Sequence, residues 1–403
     1  MLAGLYPLMT QGGIRKDIDR PPWKRGEPLS HLREPSRRTS IHFRGACQRT
    51  PTDPSLALEP GTPCAGLRLP DLRTSMILRT TVTVALWVAV PGAAGGQAPA
   101  QAPPPPPPPT ETTAPDIPGV VAAGTKVQLI AKELRGTEGP IALPDGSLIF
   151  TEQGASVITK IDAGDSRTTY LENTGGANGL TFDPKNRLIA TQPDKAAIAT
   201  LSPTYAVLAS AYEGKPFLRP NDVIADKKGG VYFTDPGANL PPGQTLPGKP
   251  SVYYIRPNGS VALVSDSITR PNGIILSPDE GVLYVANTLG ESVVAFDVQP
   301  DGSVRGRRDF ARLQGVTKTD TGVRSGADGL AVDSAGRLYV ATQVGVQVFS
   351  AQGAHLGTIP IGVQNGPQNL AFAGPDRKTL YVVGRNAAWK IAMLSQGLKD
   401  RAK

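Results

Sequence analysis

From about Val120 the chain breaks into short apolar runs separated by Gly, Pro, Asn and Asp. The runs come in pairs. Ile141 precedes Leu148-Ile149-Phe150, and Leu180-Thr181-Phe182 precedes Leu188-Ile189-Ala190. Val223-Ile224 precedes Val231-Tyr232-Phe233, and Ile274-Ile275 precedes Leu283-Tyr284-Val285. Leu330-Ala331-Val332 precedes Leu338-Tyr339-Val340, and Leu370-Ala371-Phe372 precedes Leu380-Tyr381-Val382. Each run is too short for a helix and rich in β-branched and aromatic residues, so the pattern predicts pairs of buried strands joined by tight turns. A third strand, such as Ser292-Val293-Val294-Ala295-Phe296, usually follows.

Every pair opens on a polar residue: Glu138, Asn178, Asn221, Asn272, Asp328 and Asn369, spaced by 40, 43, 51, 56 and 41. A repeat of this length built from short strands is the period of a four-stranded propeller blade. Six blades of about 45 residues fit residues 119–397, which predicts an all-β, six-bladed β-propeller followed by a short tail, 398–403. A β-sandwich requires no such self-similarity, and a helical solenoid conflicts with the Gly, Pro and β-branched content. In a propeller the innermost strands line a central channel, so the six opening residues are expected to ring one mouth of it.

Asn and Asp favour turns, and for any single position turn chemistry is a sufficient explanation. Six acids or amides in register are harder to explain that way. Two carboxylates with several amide oxygens match a hard cation that takes six to eight oxygen ligands, which favours Ca²⁺ over octahedral Mg²⁺. Such an ion would also balance two carboxylates that are costly to bury alone.

The 45 Gly and 40 Pro among 403 residues argue against long helices. The net charge of +8 loses its apparent meaning once it is divided along the chain. Residues 1–75 carry +5 and the remaining residues only +3, so there is no basic field for DNA or RNA. Both cysteines, Cys47 and Cys64, and two of three histidines, His31 and His42, lie in that first stretch. The later chain therefore has no disulfide, Cys-based zinc site, Cys nucleophile or multi-His metal centre. His355 reads as a surface residue of a turn, and neither a nucleophile elbow nor a phosphate-cradling glycine loop occurs.

Residues 1–75 mix Arg, Pro, Ser and Thr without apolar periodicity, which predicts disorder. Met76 opens a different segment: Arg79, the apolar run Val82 to Val90, then Pro91-Gly92-Ala93-Ala94-Gly95. This is the order of a secretory signal over 76–96, and the run is too short for a permanent span. Seven prolines, Pro103 to Pro109, then form a stiff tether within a Pro-rich linker, 97–118. Because a signal normally opens the translated chain, residues 1–75 are either an upstream extension of the gene model or a genuine disordered leader.

The stretches Arg219-Pro220-Asn221-Asp222-Val223, Phe233-Thr234-Asp235-Pro236, Arg270-Pro271-Asn272-Gly273 and Ala327-Asp328-Gly329-Leu330 resemble the gluconolactonase, regucalcin (senescence marker protein) and luciferin-regenerating family. The resemblance extends over 120–396. It implies a catalytic divalent metal, usually Ca²⁺ with Mg²⁺, Mn²⁺ or Zn²⁺ as substitutes, surrounded by Glu138, Asn221, Asn272 and Asp328. It makes Asn221 a metal or substrate contact, Arg219 a contact to sugar-lactone oxygens and Asn178 a polar group near the substrate. The implied activity is hydrolysis of a sugar lactone, with the metal polarising the carbonyl and Asp328 as general base.

The same scaffold also resembles diisopropyl fluorophosphatase and paraoxonase-like hydrolases, which leaves a phosphotriester or phosphofluoridate as an alternative substrate. A non-catalytic ligand-binding propeller is the other alternative, since a fold does not fix a function. The stretch Pro236 to Gly243 enlarges the third repeat and reads as a lid over the mouth or a plain surface loop. The expected protein is secreted or periplasmic, a monomer or small homo-oligomer, with no stable membrane span after processing. Native protein is expected to lack residues 1–75 and to start between about Gly95 and Thr110. Peptide mass spectrometry of the mature protein checks this, and peptides from 1–75 would contradict it.

Overall fold

The computed structural model describes residues 106–403 apart from Pro242, Asp320, Thr321 and Ala402. Six antiparallel sheets follow one another along the chain as the blades of a six-bladed β-propeller. The first blade runs Thr137–Ala142, Leu148–Glu152, Val157–Ile161 and Arg167–Leu171, each strand paired with the next. The second to fifth blades repeat this order and begin at Leu180, Val223, Pro271 and Leu330. Among the described residues the only helices are two single turns, Gln153–Ala155 and Pro193–Lys195. No helix among them is long and apolar enough to cross a membrane.

Burial falls from the axis outward, and this explains the sequence pattern. Leu148–Glu152, one strand from the channel, is buried at every position, whereas four of the five residues of Arg167–Leu171 are exposed. A strand covered on both faces by neighbouring blades reads as a continuous apolar run without alternation. One aspartate shapes the first hairpin turn in each blade. Asp183 Oδ1 accepts from the backbone N–H groups of Lys185 and Arg187, and Asp226 Oδ1 does the same for Lys228 and Gly230. Asp145, Asp279, Asp333 and Asp376 make the equivalent turns, all at the end of the blades opposite the ring residues.

The sixth blade closes the circle with chain from both ends of the propeller. Asn369–Ala373, Thr379–Gly384 and Ala387–Ala392 are completed by Lys126–Ala131, which precedes the first repeat, with Thr112–Thr113 added outside it. The stretch read as linker as far as 118 is therefore packed against this blade from Thr110 onward. Thr110 accepts from the Trp389 indole at 2.9 Å, and Ile117, Val120 and Val121 are buried. His355 opens the outer strand His355–Ile359 and is exposed. The leader 1–75, the signal-like segment and the first three residues of the proline tract lie outside the described residues.

Trp389 is the largest fully buried side chain and joins the two chain ends. Trp389→Ala is expected to lower stability by about 3–5 kcal/mol, as large-to-small core changes do. Urea unfolding checks this, and an unchanged midpoint would show that the closure does not limit stability.

Candidate active site

The six opening residues stand at the starts of the innermost strands, where neighbouring blades are nearly in backbone contact. The glycines that follow them are there for space. A Cβ on Gly179 would overlap the backbone of Asn221 and Asp222, and one on Gly273 would overlap the carbonyl of Asp328. Asn-Gly and Asp-Gly at these positions are thus close-approach pairs rather than turn dipeptides.

A second device stitches blade to blade. The hydroxyl of a threonine on the second strand donates to the backbone carbonyl at the next blade's ring position. Thr151 donates to Asn178 O at 2.9 Å, Thr191 to Asn221 O at 2.6 Å and Thr234 to Asn272 O at 2.7 Å. Thr288 donates to Ala327 O, one residue before Asp328, at 2.7 Å. Each such bond contributes about 1 kcal/mol, and together they set the angular position of the ring residues.

The segment entering each ring position is clamped as well. Asp235 accepts from the backbone N–H groups of Leu218 and Arg219 at 2.7 and 2.6 Å. Asn287 accepts from Arg270 N at 3.0 Å, and Glu152 from Arg135 N at 2.9 Å. The paired motifs Arg219-Pro220-Asn221 and Phe233-Thr234-Asp235-Pro236 are the two halves of one such clamp. Burial holds the Asp235 carboxyl above its ordinary pKa, against the pull of these donors.

The electrostatics of the ring centre on two acids. Burial pushes Glu138 up to about 7, and neighbouring Asp222 raises it further against the Asn369 amide and Lys403, which lower it. Asp328 is raised well above the ordinary carboxylate range, first by burial and then by Glu138. Glu138 Oε1 accepts from Gln368 at 3.0 Å and Oε2 from Asn369 at 3.2 Å. Asn369 also accepts from Leu370 N through Oδ1, so it orients Glu138 and has no oxygen to spare. Asp222 is saturated too: Oδ1 takes Val223 N, while Oδ2 takes Ile274 N and the Lys403 ammonium.

Three of the six ring residues keep a buried side-chain oxygen without a protein partner: Asn178 Oδ1, Asn272 Oδ1 and Asp328 Oδ1. Asp328 as a residue is partly open to the channel, but this oxygen is sealed from solvent. Asn272 gives its amide N–H to Thr288 Oγ1 at 3.1 Å, which fixes the orientation of its free oxygen. Buried oxygens of this kind are costly unless something binds them. Among the described residues no three His, Cys, Asp or Glu side chains gather as a metal-binding group. A cation here would therefore rest on two carboxylates and amide oxygens, a donor set that fits a hard divalent ion.

Arg219 is half-exposed and forms an ion pair with Asp194 of the second blade at 3.0 Å. The Arg270 guanidinium rests on the carbonyls of Gly237 and Ala238, in the enlarged loop of the third blade, at 3.4 and 3.5 Å. Burial lowers the Arg270 pKa, and the fields of Asp328, Arg324 and Arg219 all reach it. Asn221 is half-buried and contributes its backbone to the stitching. Thus Glu138, whose charge raises Asp328, is accompanied in the ring by the free oxygens of Asn178 and Asn272, while Arg219 and Arg270 have anchored side chains. Sequence reasoning missed Asp222, Gln368, Lys403 and the threonines. Of these, only the threonines carried a signal, since Thr151, Thr191 and Thr234 recur at one place in the repeat. A cavity of about 620 Å³ lies elsewhere, among the aspartate turns and residues 399–401, and none of the ring residues lines it.

A six-bladed propeller with buried acids and amides at the head of its channel defines a class of hydrolase-bearing and ligand-binding folds. Within that class, residues 136–385 match the SMP-30/gluconolactonase/LRE-like region, and the chain belongs to that family. It is 26% identical over 294 residues to the gluconolactonase of Zymomonas mobilis, covering 66% of this chain and 81% of that enzyme. It is 27% identical to a lactonohydrolase of Aspergillus oryzae over 57% of this chain, spanning only 55% of that protein. The solved structure of a Xanthomonas campestris gluconolactonase superposes with a TM-score of 0.59 at 26% identity, covering 71% of this chain and 98% of that one. A calcium-binding regucalcin from Agrobacterium tumefaciens shares the fold with a TM-score of 0.57 at 18% identity, over 68% and 96% of the two chains.

Glu138 yields a pH prediction. Its folded pKa of about 7 lies above the ordinary 4.5, so the folded chain holds the proton more tightly than the unfolded chain. Stability in the presence of a chelator is then full below about pH 4.5 and declines as pH rises towards 7, by at most about 1.4 kcal/mol per pH unit for one proton. Glu138→Gln is expected to flatten this decline. Denaturant melts between pH 4.5 and 8 read it, and a wild-type profile rising over that window would contradict the assignment.

Proposed function

We propose that the protein is a lactonase that opens a sugar lactone such as gluconolactone to its hydroxy acid, with a divalent cation, Ca²⁺ by preference, as cofactor. The observation that carries this reading is the set of unpartnered buried oxygens on Asn178, Asn272 and Asp328, together with the buried acid Glu138 whose charge reaches Asp328. Membership of the gluconolactonase-like family supports the substrate class. Glu138, Asn221, Asn272 and Asp328 would hold the cation. When bound, it supplies positive charge that polarises the lactone carbonyl and lowers the pKa of water.

The side chains then divide the work. Gln368 and Asn369 fix the Glu138 carboxylate by donating to both oxygens, so it acts as a rigid charge rather than a mobile base. In this reading Asp328, whose Oδ1 has no protein partner, is the general base that takes the proton of the attacking water. That proton passes to the ring oxygen as the acyl bond breaks, which yields a carboxylic acid and an alcohol, and the acid then releases its proton to solvent. Arg219 sits above the ring with its backbone clamped by Asp235 and its guanidinium steadied by Asp194, so it orients substrate hydroxyls. Asn178 offers a further polar contact. The signal-like pattern after Met76 supports action outside the cytoplasm.

Turnover of glucono-δ-lactone with and without chelator tests the reading. A chain that opens no lactone but cleaves a phosphotriester or phosphofluoridate would replace the lactonase reading with its neighbour in reaction type. Asp328→Asn keeps size and one coordinating oxygen but removes the base, so kcat is expected to fall at least about a hundredfold at saturating metal. Wild-type turnover in that variant would place the base elsewhere. Arg219→Lys keeps charge but loses the planar fork, so KM for hydroxylated lactones should rise more than for a bare aliphatic lactone.

A further inference from the structure

The least expected charge in the channel is a lysine. Lys403 is 4% exposed, and its ammonium meets Asp222 Oδ2 at 2.5 Å with both side chains sealed from solvent. The path of the segment accounts for its arrival. Asp400 pairs with Lys227 in an aspartate turn at 3.0 Å, and Arg401 donates to Leu276 O and Ser277 O at 3.0 and 3.1 Å. The side chain thus reaches the ring from the turn face, beneath the acids and on the side away from the mouth.

Asp222 is the residue next to Asn221, and its two oxygens tie Val223 N to Ile274 N across the third and fourth blades. A buried aspartate in that place would add a third negative charge to those of Glu138 and Asp328. Lys403 cancels it, and its field reaches both ring acids, lowering each against the effect of burial. Arg270 and Arg385 also act on Asp328, Arg270 from the mouth side. Lys403 is the only cation among the described residues that forms an ion pair with one of these three carboxylates.

We infer that Lys403 is a positioning residue: a built-in monovalent cation that neutralises Asp222 and thereby leaves the ring with the two negative charges of Glu138 and Asp328, matched to a divalent ion. The inference rests on the cation-site reading of the ring proposed above. With Lys403 in place the carboxylates, the ammonium and a divalent ion sum to zero charge. Without it a trivalent ion gains more than a divalent one from the exposed Asp222 charge, because Coulomb energy scales with ionic charge at equal distance.

The test is ion selectivity, which a merely structural role would not alter. Ca²⁺ and Tb³⁺ affinities are measured on the full chain by calorimetry and by Tb³⁺ luminescence, for wild type, Lys403→Met, Asp222→Asn, and the double variant Asp222→Asn with Lys403→Met. Lys403→Met is expected to raise the Tb³⁺-to-Ca²⁺ affinity ratio at least about tenfold. The double variant removes both charges, is expected to fold as buried pairs replaced together commonly do, and should restore the wild-type ratio. If Lys403→Met does not fold, Asp222→Asn alone decides: it leaves the Lys403 charge uncompensated, so the Tb³⁺-to-Ca²⁺ ratio should fall at least about tenfold, and an unchanged ratio overturns the inference. An unchanged ratio in a folded Lys403→Met also overturns it while leaving the cation site standing. If the wild type binds neither ion, the cation-site reading fails and the inference fails with it.

Discussion

The bond between a threonine hydroxyl of one blade and the ring carbonyl of the next is the constraint from which the site follows. Sheets in a propeller pack face to face through apolar side chains, which fix spacing but leave small rotations free. Thr151, Thr191, Thr234 and Thr288 remove that freedom at the axis, each by a directed bond to the backbone beside a functional side chain. Glycines at 139, 179, 273 and 329 permit the approach, since a Cβ at any of them would meet the next strand. The ring is thereby as rigid as the sheets themselves, a condition for preorganised chemistry.

Rigidity carries an electrostatic cost. Burial raises the pKa of both Glu138 and Asp328, and the charge of Glu138 raises Asp328 further. The molecule meets part of that cost locally, through Gln368, Asn369 and Lys403, and leaves part of it unmet at Asp328 Oδ1, Asn178 Oδ1 and Asn272 Oδ1. Strain concentrated at unpartnered oxygens, while the oxygens around them are saturated, is the pattern of a site built to receive something. Asn369 shows the contrast: it occupies an equivalent ring position but spends both ends of its amide within the protein.

The repeat, the blade count and the ring were legible in the sequence because each blade writes them anew. A buried second strand gives an apolar run, an aspartate marks its turn, and a polar residue stands at the same place each time. Features that occur once were not legible. Nothing in Lys126–Ala131 announces that it completes the sixth blade, since its partner Ala387–Ala392 is distant in the chain and circular closure follows from topology, not from local pattern. Lys403 is one cation in a polar tail, and only the path through Leu276 and Ser277 makes it a channel residue. Asn-Gly and Asp-Gly were open to two readings, turn or close approach, and the distance between blades decides between them.

A ring held by its neighbours also separates catalysis from recognition. The ring residues are fixed from behind by the threonine bonds and the glycine close approaches, on elements separate from the mouth loops. The mouth itself is built from insertions: the hairpin Ala211–Tyr212 with Lys215–Pro216, the loop between Asp235 and Ser251, and the ribbon Thr317–Thr319 with Gly322–Arg324. These account for the longer spacings between ring residues, and they bring Arg219, Arg270 and Arg324 within each other's fields. Substrate preference in this chain is therefore expected to reside in those loops, which are separate from the elements that hold the acids, and the fixed geometry of the axis is compatible with more than one acyl group.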